Sequence, residues 1–208
     1  MNPAAYAHIL QAALGHIPAH IQHVADYETC AREFIADDIW YYIQSGSDQN
    51  LSLAANRRSF DQLALLPRVL RSVHEGHTRV NLFGHEHRAP LLLAPVAYHG
   101  LVHPDAELAT VQAAVAMQTA MVVSTLASRR FMDIRRTAEA AAQELQRPVP
   151  PLWLQLYSQP TRGQTQAVLQ AADEAGFDAI VWTVDAHYKR TAMALPVGVS
   201  AVNTDAEA

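Results

Sequence analysis

The chain has 208 residues, with 20 acidic against 15 basic side chains for a formal net charge of −5, 11 histidines and one cysteine. Half of it is apolar and only 17% is charged, so it can bury enough surface to offset its ordering entropy, which excludes general disorder. A sequence pI near 6.1 goes with no basic stripe to neutralise phosphates, so nucleic acid is not an expected partner.

Cys30 has no second cysteine to pair with, and no basic stretch followed by an apolar run opens the chain. The expected compartment is therefore the cytoplasm. The longest apolar stretch, residues 89–97, contains Pro90 and Pro95 and is about half of the roughly 20 residues a membrane helix requires. It reads as a buried strand, and membrane association is not expected.

Helical spacing opens the chain, first through Ala4, Ile9, Ala12 and Leu14, then through Val24, Ala31, Phe34, Ile35 and Ile39. Asp26 is placed to cap the second helix. That helix is expected to run on into Trp40-Tyr41-Tyr42-Ile43 and to stop at Ser45-Gly46-Ser47, where Gly46 supplies backbone freedom. A further helix is expected over residues 49–60. Arg79-Val80-Asn81-Leu82-Phe83 with Gly84 as a turn predicts a small hairpin.

Beyond residue 90 the chain changes character. Apolar, strand-like runs begin near Leu91, Met121, Leu152 and Ala179, at intervals of 30, 31 and 27 residues. Ala-rich helical patterns fill the intervals, over residues 105–118, 130–146 and 164–175. Such a βα repeat implies parallel strands joined by crossover helices, each strand covered on both faces. A doubly wound nucleotide-binding sheet would carry a Gly-rich loop after its first strand, and Ala94-Pro95-Val96-Ala97-Tyr98-His99-Gly100 is not one. The expected fold is therefore α/β, a partial (β/α)8 barrel of about four units, against the eight units and roughly 250 residues of a whole barrel. The expected layout is a single domain over residues 1–208, with amino-terminal helices to residue 62, a hairpin region over 63–90 and the first βα units over 91–208.

A barrel binds its ligand at the carboxyl ends of its strands, here Pro95-Val96-Ala97-Tyr98, Ser124-Thr125, Gln155-Leu156-Tyr157 and Thr183-Val184-Asp185. Hydroxyls and an amide converging there can donate and accept without carrying charge, which suits a large heteroaromatic ligand. The plainer reading is that polar residues end strands because the chain emerges into water. The histidines at 74, 77, 85, 87, 99 and 103 read as solvated loop residues rather than zinc ligands, since a zinc site needs three or four ligands with supporting partners. No metal is expected. Cys30 reads as a small buried hydrophobe.

Several segments resemble, in order, the FMN-dependent α-hydroxy acid oxidases and dehydrogenases. They are Trp40-Tyr41-Tyr42-Ile43-Gln44-Ser45-Gly46-Ser47 with Asn56 and Phe60, Leu66-Pro67-Arg68-Val69-Leu70, Leu93-Ala94-Pro95-Val96-Ala97, His103-Pro104 with Glu107, Gln155-Leu156-Tyr157, Ala175-Gly176-Phe177-Asp178-Ala179 and Thr183-Val184-Asp185. The resemblance covers essentially this whole chain but only the amino-terminal half, or slightly more, of the family's length. It implies FMN as cofactor, with Pro95, Val96 and Ala97 running along the flavin and Ser124, Gln155 and Thr183 bonding its ring. It implies a small α-hydroxy acid as substrate, with Tyr42 and Tyr157 near its carboxylate and hydroxyl, and oxidation to the 2-keto acid.

The family's catalytic His, its carboxylate-binding Arg and its flavin-side Lys belong to later strands, so the resemblance assigns no catalytic residue here. His187, just past the fourth strand, is not the family's base, and Ala186-His187-Tyr188-Lys189-Arg190 departs from the family pattern. The chain is thus expected to be a fragment, inactive alone, of such an enzyme. The alternative is a noncatalytic half-barrel that binds a partner chain, either a second copy or a complementing half.

Overall fold

The computed structural model describes residues 21–72, 74–185 and 199–204. The helical pattern of residues 4–14, and His187 and Arg190, lie outside them. The chain divides into two compact units, one within Pro18–His77 and one built mainly from Thr78–Ala208.

The first unit holds α1 (Val24–Arg32), α2 (Asp37–Gln44) and α3 (Leu51–Asp61). The long second helix expected from sequence is two helices. The chain leaves α1 at Glu33 and re-enters helix at Asp37, where Asp37 and Asp38 sit in the first turn of α2 and complement its dipole. Arg32 clamps this corner, paired with Asp37 and with its guanidinium 5.3 Å from the Trp40 ring centroid. Asp26 lies inside α1 rather than before it. Its Oδ2 accepts the backbone N–H groups of Gln22 at 2.7 Å and His23 at 2.8 Å, reaching back to the helix start.

Helix α2 ends because Ser45 turns extended, at φ −87° and ψ 141°, without help from Gly46. What Gly46 supplies instead is room. A Cβ there would lie 3.0 Å from both Asn50 Oδ1 and Leu53 Cβ, while its N–H donates to Asn50 Oδ1 at 2.8 Å.

The second unit opens with an antiparallel hairpin, β1 (Val80–Leu82) and β2 (His85–His87). Its turn residues Phe83 and Gly84 have φ of 49° and 82°, the positive pair that a tight hairpin turn demands. His87 is not a solvated loop residue but a buried strand residue. Its ring stands edge-on to Trp153 at 6.4 Å, and Phe83 does the same at 5.2 Å.

A four-stranded sheet follows in the order β3-β4-β5-β6, with β3 (Leu92–Leu93), β4 (Ala120–Ser124), β5 (Leu152–Tyr157) and β6 (Ala179–Thr183) all parallel. The crossovers run through α4 (Glu107–Met117), α5 (Phe131–Leu145) and α6 (Arg162–Glu174). The stretch over 89–97 shortens to a two-residue strand, because Pro90 and Pro95 bring no N–H to a ladder. Leu91 and Val96 are exposed. Helix α6 starts two residues earlier than its apolar pattern does, since Thr161 and Gln164 form a reciprocal cap, with Thr161 Oγ1 accepting the Gln164 N–H at 3.2 Å and Gln164 Oε1 accepting the Thr161 N–H at 3.2 Å.

Alternation along β4 and β5 sorts the sheet into two faces. Met121, Val123, Leu152, Leu154 and Leu156 join Val111, Val115, Phe131, Ile134 and Val168 in one core between sheet and helices. Val122, Ser124, Trp153 and Gln155 point to the other face, the one a closed barrel would enclose.

Candidate functional site

The register places the strand-end residues together. Ser124 pairs directly with Gln155 across β4 and β5. Gln155 stands opposite Val181 on β6, two residues before Thr183 and so on the same face. Their side chains make a continuous hydrogen-bonded chain. Ser124 Oγ donates to Gln155 Oε1 at 3.3 Å, and Gln155 Nε2 donates to Thr183 Oγ1 at 2.8 Å. Ser124 Oγ also accepts the Leu126 N–H at 3.1 Å.

Thr125, which the sequence reading left without a role, stitches the ends of β4 and β5. Its Oγ1 donates to the Gln155 carbonyl at 2.5 Å and accepts the Tyr157 N–H at 3.1 Å. Ser124, Thr125 and Gln155 are all buried.

This row is uncharged and carries spare donors. The second hydrogen on Gln155 Nε2 and the hydroxyl proton of Thr183 lie beyond the bonds just described. A ring system with carbonyls and ring nitrogens fits such a row, because each of its polar atoms can find a donor or acceptor without a charge being buried. The isoalloxazine of FMN has that chemistry.

Pro95, Val96 and Ala97 follow β3 at the same carboxyl end, and Val96 is exposed. They are tied to the next loop by the Tyr98 N–H, which donates to the Leu126 carbonyl at 3.1 Å. Tyr157, half-buried, closes β5 opposite Thr183. Tyr42 stands on α2 in the first unit, half-buried. Cys30 on α1 is half-buried, not a core residue.

Two more side chains shape the loops around this end. Glu107, at the start of α4, is 1% exposed. Its Oε1 accepts the N–H groups of His99 at 3.2 Å and Ser128 at 2.9 Å. Asn203 caps α5 from far along the chain, its Oδ1 accepting the Phe131 N–H at 3.1 Å and its Nδ2 donating to the Arg129 carbonyl at 2.9 Å. Burial holds the His99 imidazole below its ordinary pKa of 6.5, opposed by the Glu107 carboxylate and by a hydrogen bond with the Val96 backbone. His103 is likewise lowered by burial, with the Asp105 carboxylate opposing. Among the described residues no group of three His, Cys, Asp or Glu is arranged to hold a metal ion. No helix among them is long and apolar enough to cross a membrane.

The FMN-dependent dehydrogenase family matches residues 31–201. Among sequence relatives, an L-lactate oxidase of Alicycliphilus denitrificans is 43% identical over 170 residues, 82% of this chain and 44% of the relative. A 4-hydroxymandelate oxidase of Amycolatopsis orientalis is 33% identical over 88% of this chain and 50% of the relative. Among solved structures, mandelate oxidase with benzoyl-formic acid superposes with a TM-score of 0.77 at 31% identity, covering 87% of this chain and 53% of that one. Another mandelate oxidase structure contains an FMN adduct. The chain thus spans about half the length of the relatives it matches, and its four parallel strands correspond to part of their barrel. On the matched residues, the parallel βα repeat and the flavin-compatible row at its rim, this chain belongs to the FMN-dependent dehydrogenase family.

Proposed function

We propose that this chain is the flavin-gripping part of an enzyme that oxidises an L-α-hydroxy acid to the 2-keto acid. The observation that carries this reading is the hydrogen-bonded row Ser124–Gln155–Thr183 on one face of three adjacent parallel strands. In it, Ser124, Gln155 and Thr183 bond the ring's polar edge, and the backbone of Pro95, Val96 and Ala97 runs beside it. Bound FMN supplies the two-electron acceptor.

Tyr157, at the rim, holds the substrate carboxylate and hydroxyl through a directional phenol hydrogen bond that adds no second charge, and the family resemblance alone assigns Tyr42 to the substrate carboxylate. A water-poor setting strengthens such bonds. The chain's contribution is binding and orientation. No residue in it is assigned the proton transfer from the substrate hydroxyl, so turnover depends on groups from outside these residues.

Titrating FMN into the protein and following flavin fluorescence tests the reading. Quenching that is saturable in the unaltered chain and weakened in Gln155→Leu supports it, and free flavin fluorescence throughout overturns it. Adding L-lactate, glycolate or mandelate without oxygen then asks whether bound flavin is reduced. Bound flavin that stays oxidised fits a portion that binds but does not turn over.

A second reading has its own observation. Ile180, Val181 and Trp182 of β6 and Val184 just beyond it are 47%, 39%, 63% and 64% exposed, and among the described residues no strand pairs with the outer side of β6, an edge that invites pairing with another chain. On this reading the molecule is a half-barrel that docks a second copy or a complementing half. Solution mass with and without FMN separates the two, since a monomer that binds flavin fits only the first.

A further inference from the structure

Among the described residues Glu107 is the one buried Asp, Glu, Lys or Arg side chain, at 1% exposed, and its Oε2 has no hydrogen-bond partner. Burying a carboxylate is unfavourable unless its oxygens are satisfied, so its bonds show what it is there to hold. Both donors to Oε1 are backbone N–H groups from two different loops, His99 after β3 and Ser128 after β4.

The same two loops touch again one residue on, where the Gly100 N–H donates to Ser128 Oγ at 3.0 Å. A Cβ on Gly100 would lie 3.0 Å from that oxygen and 3.2 Å from Ser128 Cβ, so the approach has no slack. The backbone beside Glu107 is itself unusual. Ala106, immediately before Glu107, has φ 50° and ψ −129°, a backbone region that residues with a Cβ seldom occupy.

The consequence reaches the rim. The His99 ring bonds Thr110 Oγ1 through Nδ1 at 3.0 Å, and His99 follows Val96 by three residues in the same segment after β3. On the other side, Ser128 lies four residues beyond Ser124, just past a turn closed by the Ala127 N–H donating to the Ser124 carbonyl at 3.1 Å.

The geometry points to Glu107 as a positioning residue that fixes the spacing between the β3–α4 and β4–α5 loops, and with it the width of the seat between Val96 and Ser124. This rests on the flavin reading above. Glu107 works through its length: Oε1 reaches two loops at once, and a shorter side chain reaches one at most. Its charge is secondary, because both partners are backbone N–H groups that a neutral amide oxygen also accepts.

Length and charge separate in two variants of the full chain. Glu107→Gln keeps the reach and loses the charge, while Glu107→Asp keeps the charge and loses the reach. For each, FMN affinity is measured by fluorescence quenching, and amide hydrogen exchange is followed at His99, Gly100 and Ser128, with Leu154 in β5 as the internal control.

Glu107→Asp is expected to weaken FMN binding and speed exchange at the three loop amides by about tenfold, the scale of losing one hydrogen bond in a buried setting. Leu154 should be unchanged, and Glu107→Gln should stay close to the unaltered chain. The inference is overturned if Glu107→Asp leaves loop exchange as it was, if Leu154 speeds up in step with the loops, or if Glu107→Gln behaves like Glu107→Asp. It is also overturned if FMN binds the Asp variant as tightly as the unaltered chain. Should the unaltered chain bind no FMN, the flavin reading fails by itself, and the exchange arm still decides whether Glu107 sets the loops.

Discussion

β5 and β6 are neighbours in one parallel sheet and are similarly apolar, Leu-Trp-Leu-Gln-Leu-Tyr beside Ala-Ile-Val-Trp-Thr, yet they live in different surroundings. β5 is buried along five of its six residues, whereas the three central residues of β6 are exposed. Composition alone therefore does not bury a strand in this fold; coverage by a neighbour on each side and a helix above does. The sequence of β6 is that of an interior strand, and its exposure marks the side on which the sheet is unfinished among the described residues.

The sharpest way to break this contrast is to truncate one side chain from each strand. Leu154 is fully buried in the core, so Leu154→Ala is expected to cost about 2–5 kcal/mol through lost transfer energy and the cavity left behind. Its register partner Ile180 is 47% exposed, and Ile180→Ala should cost under about 1 kcal/mol, since much of its surface is already in water. Urea unfolding midpoints check both. Equal losses would mean that β6 is covered in solution, which is what a second copy seated on that edge predicts, and dilution would then restore the difference.

Gln155 carries the same contrast into the site. Gln155→Leu removes the acceptor for Ser124 Oγ and the donor to Thr183, and in a buried row such a loss is expected to cost about 1–3 kcal/mol. Thr183→Ala, on the half-exposed side, should cost less, about 1 kcal/mol, because water can replace part of what it loses. If both variants unfold at the same urea concentration, burial does not set the cost along the row.

How much of this was legible beforehand follows from the range of each interaction. The strands and crossover helices could be read because periodicity is local, and the gathering of Ser124, Gln155 and Thr183 followed once those residues closed successive parallel runs. What escaped depends on distant partners. Glu107 was visible only as part of a family motif, because its partner Ser128 lies 21 residues away. Asn203 caps a helix 72 residues upstream, and His87 is buried by Trp153, neither of which a local pattern can show. The split between α1 and α2 was hidden by apolar spacing that continues across a corner held by Arg32.

The distorted backbone before α4 offers a change in the stabilising direction. Ala106 is 2% exposed with φ 50°, so Ala106→Gly should relieve the clash its Cβ causes and raise stability by about 1 kcal/mol, although the freer unfolded chain offsets part of the gain. The same replacement at Ala138, inside α5, should destabilise by about 1 kcal/mol. Opposite signs from one substitution would locate the strain at Ala106.

The smallest expected effect is a pH dependence, present in the β3–α4 loop and absent from β5, which has no Asp, Glu, Lys, Arg or His. His99 has its pKa lowered mainly by burial, so its folded value lies below the unfolded one near 6.5. Above that pH the imidazole is neutral in both states and contributes no pH dependence. As pH falls below about 6.5 the unfolded chain takes up a proton that the folded chain resists, and stability declines until the folded-state pKa is passed. His103 shifts in the same direction, so some decline must survive when His99 is replaced. His99→Gln should therefore flatten, without abolishing, the fall in urea midpoint on acidification. An unchanged slope would show that the His99 ring takes up its proton as readily in the folded loop as in the unfolded chain, and so is not buried there.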